Sequence, residues 1–161
     1  MKFRQLAILC IVLASTLFLT APASAINCVQ YVRQTTGMEL SGDAWRWWHS
    51  AVGRYERGKQ PEADAVMVFS RTKKMNHGHV AVVREVIDSR TIRIDHANWA
   101  AGRGGKGRVH KNILVQDVSE SNDWTLVRVW YPPVNDFGRP YAVSGFIYQA
   151  APEAGVEDSD S

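Results

Sequence analysis

The hydrophobic pattern of this chain changes character along its length. Residues 6–19 form an apolar run broken only by Ser15 and Thr16. Lys2 and Arg4 stand before it, and Pro22 followed by Ala23-Ser24-Ala25 comes after it. A basic start, a short apolar stretch and a small-x-small end predict a secretory signal peptide cleaved after Ala25. The run is short of the roughly 20 residues that a bilayer span requires, so a retained anchor is the weaker reading. After the leader, residues 28–34 open with a helical pattern, with Asn27 placed to cap it and Gly37 to end it. Residues 41–53 predict a second helix, capped by Ser41 or Asp43, with Trp45 and Trp48 on one face.

From there the spacing shortens to that of strands. Residues 54–63 are a polar loop with Gly and Pro, and residues 65–70 an apolar strand. A basic turn, 71–78, leads into a long β-branched strand at 79–87, which turns through Asp88-Ser89-Arg90 into a partner at 91–96. Residues 100–107 form a glycine-rich loop, predicted to be mobile. Further strands are predicted at 109–118 and 125–131, with Pro132-Pro133 closing the last. Helices first and strands afterwards predict an α+β domain on an antiparallel sheet. No internal repeat is visible.

Composition narrows the class. The leader, residues 1–25, holds two of the 19 basic residues and no acid, so the rest carries 17 bases against 16 acids. Four of those acids, Glu153, Glu157, Asp158 and Asp160, fall in a tail at 151–161 that reads as disordered. The remaining segment, 26–150, is one domain with a mild basic bias. That bias suits an anionic surface such as cell wall, but it is too small for a nucleic-acid binder, and no nucleic-acid motif is present. With no second long apolar run, no stable membrane insertion is expected once the leader is gone.

Chemistry is concentrated in few residues. The chain has two cysteines, and Cys10 leaves with the leader. Cys28 then has no disulfide partner within the chain, and it stands at the start of a predicted helix. Free N–H groups and the macrodipole there favour a thiolate and an oxyanion, so a lowered thiol pKa is expected. His79 opens a strand after Gly78, which leaves room beside the imidazole, and is the candidate base. On the next strand, alternation puts Ile92, Ile94 and His96 on one face and Arg93 and Asp95 on the other. His96 then points inward near His79 and can orient it. Asp95 points outward unless a bulge reverses the pattern.

Plainer roles account for the rest. His77, His79 and His96 could bind zinc, but alternation turns His77 away from His79, so neither a metal nor a cofactor is expected. His49 and His110 read as ordinary surface or boundary histidines. Trp45, Trp47 and Trp48 read as packing rather than a sugar platform. Arg71, Lys73 and Lys74 read as a solvated turn.

The motifs Cys28-Val29-Gln30-Tyr31-Val32-Arg33, Gly42-Asp43-Ala44-Trp45, Asp64-Ala65-Val66 and Gly78-His79-Val80-Ala81-Val82-Val83 occur in that order. With Asp95-His96-Ala97-Asn98-Trp99 they resemble the CHAP domain, the cysteine, histidine-dependent amidohydrolase/peptidase family, which is related to the NlpC-type peptidases. The resemblance spans residues 28–148. It implies a papain-like fold, Cys28 as nucleophile and His79 as base. Its third polar residue, often Glu, falls two positions before the Asn of an Asn-Trp pair. Here that position is His96, with Asp95 and Asn98 as alternatives. The resemblance further implies amide hydrolysis in bacterial peptidoglycan, as an N-acetylmuramoyl-L-alanine amidase or a peptidoglycan endopeptidase, in the periplasm or secreted. Two alternatives stand beside it: an amide hydrolase acting on a small molecule, and a non-catalytic wall-binding module. The intact Cys28 and His79 argue against the module. Oligomeric state, the bond cleaved and any inhibitor partner are left open by the sequence.

Overall fold

The computed structural model describes residues 25–99 and 106–149. All of the predicted leader but Ala25, most of the glycine-rich loop and the acidic tail therefore lie outside the described residues.

Helix α1, Cys28–Thr36, begins with a capping box. The Asn27 side chain accepts from the Gln30 N–H at 2.8 Å, and the Gln30 side chain accepts from the Asn27 N–H at 3.2 Å. Gly37 ends the helix in the left-handed region at φ 71°, its N–H donating to the Arg33 carbonyl. The cap, the start and the stop are those expected from the sequence. Tyr31 and Val32 form the buried face of the helix.

The second helix departs from expectation. Residues 41–53 yield only a 3₁₀ turn, Ala44–Arg46, and a single turn of helix, α2, Trp47–Ser50. The Asp43 carboxylate, taken by His77 Nδ1 at 2.8 Å, caps nothing. The buried tryptophan is Trp47, not the Trp45–Trp48 pair. Those two are half-buried and carry cationic neighbours instead: Arg46 and Arg71 over Trp45, Arg57 and Lys59 over Trp48.

The strands are β1 (Arg57–Gly58), β2 (Val66–Phe69), β3 (His79–Asp88), β4 (Thr91–Ala97), β5 (Val109–Asp117), β6 (Leu126–Tyr131) and β7 (Asp136–Ile147). All pairings are antiparallel, in the order β1-β7-β2-β3-β4-β5-β6, and β7 also pairs with β6. That last pairing closes six strands into a barrel, so the expected packing of N-terminal helices on an antiparallel sheet or half-barrel holds in part: α1 packs on the sheet, but the sheet is closed. The protein is mostly β, with two short helices. β7 escaped the sequence reading because Gly138, Pro140 and Gly145 interrupt its pattern. Pro140 is tolerated opposite Arg128, beside a register shift in β6–β7.

Alternation along β2 and β3 builds two cores. Val66, Val68, Val80 and Val82 face α1 and Trp47, outside the barrel. Met67, Phe69, Ala81 and Val83 face its interior, with Ile92, Ile94 and Trp124. A strand buried on both faces contributes from every side chain, about 1.5–3 kcal/mol for each large apolar one. No helix among the described residues is long and apolar enough to cross a membrane.

Candidate active site

A cleft of about 710 Å³ runs between the start of α1 and the turn before β3, and both Cys28 and His79 line it. Cys28 is the first residue of the capped helix, so the Asn27 box fixes its position. Its thiol is free and half-buried, against the backbone of Val80 and the first N–H groups of α1. His79 is held by Gly78, whose φ is 67°. A Cβ on Gly78 would sit 2.7 Å from the Trp45 backbone nitrogen and 3.0 Å from the Phe69 carbonyl oxygen. The glycine therefore lets the 3₁₀ turn dock onto the strand, rather than clearing space around the imidazole.

His96 meets His79 as the alternation of β4 predicts. His79 Nε2 and His96 Nδ1 are 3.2 Å apart, inside the protein. His79 is 3 % exposed and His96 1 %. Aromatic rings hold the pair: Trp99 lies 4.7 Å from His79 and 5.2 Å from His96 between centroids, and Phe69 lies 5.6 Å from His79. Tyr141 of β7 backs Trp99 at 4.9 Å. Neither Phe69 nor Tyr141 was visible as part of the site from local sequence: Phe69 arrives through its pairing with His79 across β2–β3, and Tyr141 through the β7 strand that closes the barrel.

Asp95 takes the opposite face of β4, as predicted, but that face is covered by α1 and not by water. Its carboxylate accepts from Tyr31 Oη at 3.3 Å, Arg84 Nε at 3.0 Å and the Asn112 N–H at 2.8 Å. Arg84 also bonds Asp64 at 2.9 Å. Asp95 thus ties α1, β3 and the β5 bulge together and stands away from His79. Asn98, left-handed at φ 60°, lines the cleft and accepts from the Gly107 N–H at 2.9 Å. His77 bonds Asp43 instead of joining the other histidines. Among the described residues, no cluster of three or more His, Cys, Asp or Glu side chains could hold a metal ion.

Burial sets the proton positions. It pushes the Cys28 thiol up, and the nearby N–H groups of Val80, Val29 and Cys28 offset this only in part. The lowered thiol pKa expected from the helix start is therefore corrected: desolvation outweighs the helix. Burial, and next the charge of His96, hold His79 well below the ordinary imidazole range. Burial, and next the charge of His110, push His96 down to about 3. At neutral pH the arrangement is a neutral thiol beside two neutral imidazoles.

Residues 20–98 match the CHAP domain family. No curated protein matches the chain. Among solved structures it is similar to an N-acetylmuramoyl-L-alanine amidase from Staphylococcus aureus, at 23% identity and a TM-score of 0.42, over 60% of this chain. The chain spans about a third of that structure's length, 32%.

Proposed function

We propose, from the match of residues 20–98 to the CHAP domain family, that this chain is an exported cysteine amidohydrolase acting on amide bonds of bacterial peptidoglycan. One observation carries the reading: the thiol at the start of α1 and the imidazole at the start of β3 share one cleft, and a second buried imidazole backs the first. A papain-like plan, with a thiol on a helix and a base on a barrel, suits this arrangement. The leader read in residues 1–25 directs the enzyme to the periplasm or beyond.

The proton positions define the mechanism. With Nε2 bound to His96, the Nδ1 of His79 is the nitrogen left for the thiol. The thiol is neutral at rest, so its proton moves to Nδ1 as sulfur attacks the carbonyl carbon. The carbonyl π electrons move onto oxygen. N–H groups at the start of α1 stabilise that oxyanion. His79 then gives the proton to the leaving nitrogen, the C–N bond breaks, and a thioester remains. Water, deprotonated by His79, releases the acid and restores the thiol. The cleft volume suits a short peptide. Lys74 and Lys106 line it, while its acid, Asp43, is occupied by His77. That charge balance favours a peptide bearing free carboxylates.

Digestion of purified peptidoglycan, with mass spectrometry of the new termini, tests the reading. Free lactyl ends with new N-terminal alanine mark an amidase, and new ends within the peptides mark an endopeptidase. Release is expected to survive chelators and to vanish in Cys28→Ala. Release by Cys28→Ala at the wild-type rate, or loss in EDTA with recovery on added zinc, overturns it.

A further inference from the structure

His110 stands next to His96 on β5, and the reaction described above does not use it. The two are directly paired in the β4–β5 register, so their side chains share one face. Their rings meet edge to face, 5.9 Å between centroids at 72°. Among the described residues, His110 Nδ1 is buried and has no hydrogen-bond partner. A buried ring nitrogen without a partner is costly and calls for a role.

We propose that His110 is a positioning residue: it completes a row of three imidazoles, His79, His96 and His110, and holds the middle ring in the tautomer that the base requires. The tautomer follows from counting protons. If His79 Nδ1 is to accept the thiol proton, the His79 proton sits on Nε2 and is donated to His96 Nδ1. His96 must then carry its own proton on Nε2. The unpaired Nδ1 of His110, whose ring meets that of His96, is the acceptor assigned to it. The opposite tautomer of His96 would place N–H against N–H at the His79 contact and disable the base.

The inference rests on the cysteine hydrolase reading, and the experiment separates the two. The intact protein and its His110→Gln, His110→Phe and Cys28→Ala variants are compared for kcat and KM on peptidoglycan fragments. Thermal unfolding checks the fold of each, and NMR of isotope-labelled histidine reports the His96 tautomer. His110→Gln keeps an acceptor, so it retains more kcat than His110→Phe. His110→Phe keeps the ring but loses the acceptor. Its kcat falls about fivefold, the worth of one ordinary hydrogen bond, with KM unchanged and the His96 proton shared between both nitrogens. A His110→Phe kcat equal to wild type, together with an unchanged His96 signal in that variant, overturns the inference. That result with an inactive Cys28→Ala leaves the hydrolase reading standing. An active Cys28→Ala overturns the hydrolase reading itself, and the NMR signal still decides the tautomer question.

Discussion

His79 and His96 face each other ring nitrogen to ring nitrogen, Nε2 to Nδ1 at 3.2 Å, with both imidazoles out of water. Neither ring can take a proton cheaply there. A contact of this kind works only if one ring donates and the other accepts, so it imposes order on protons as well as on atoms. A carboxylate in place of His96 would accept the same bond but would also favour a charged His79.

The thiol and the base are expected to act as a unit. Cys28→Ala and His79→Ala should each cut peptidoglycan turnover by at least about a thousandfold, and the double variant should be little worse than either. Steady-state kinetics with a matched thermal melt checks this. Roughly additive losses would show that the two residues act independently.

At β4 the opposed faces give opposed outcomes. His96→Gln should keep more turnover than His96→Ala, because the amide oxygen can accept the bond from His79. Asp95→Asn should leave kcat nearly intact and lower stability by about 1–3 kcal/mol, since it weakens the bonds from Arg84 and Tyr31. Denaturant unfolding and kinetics on the same samples separate the effects. A severe kcat loss in Asp95→Asn with mild His96→Ala would make Asp95 the orienting group.

Stability should fall as the solution is acidified. His79 and His96 have folded pKa values below their unfolded ones, so the unfolded chain binds more protons, and stability rises with pH in that window. The contribution is complete above the ordinary imidazole value of about 6.5 and is lost as pH falls toward the folded value of about 3 for His96. Melting temperature against pH should show a decline that flattens in His96→Gln.

Alkylation of Cys28 probes the raised thiol. A preformed thiolate–imidazolium pair reacts fast in mild acid. Here the thiol is pushed up by burial and the imidazole down, so the iodoacetamide rate should climb toward alkaline pH. A plateau in acid would show that the ion pair exists before substrate arrives.

Much of the site was legible because it depends on local rules. The Asn27 cap, the Gly37 stop and the two-residue period of β4 placed Cys28 and His96 without any tertiary knowledge. Features set by distant partners were not legible. Asp43 reads as a cap until His77, far along the chain, takes its carboxylate. β7 reads as irregular because its order comes from β2 and β6 on either side. His110 reads as a surface or boundary residue until β5 pairs it with His96. The thiol reads as acidic from its helix, because a sequence shows the dipole but not the depth of burial.

Closure by β7 also decides how small a portable version of this protein can be. The family match stops at residue 98, just after the end of β4. A piece cut there would own the thiol and both paired imidazoles, yet β4 would present a raw edge where β5 belongs, and β2 another where β7 belongs. The barrel interior would drain of Val115, Val127, Val129 and Phe146. The shortest transplantable cassette therefore runs through Ile147, and a fused partner has to begin beyond the last stave of the barrel.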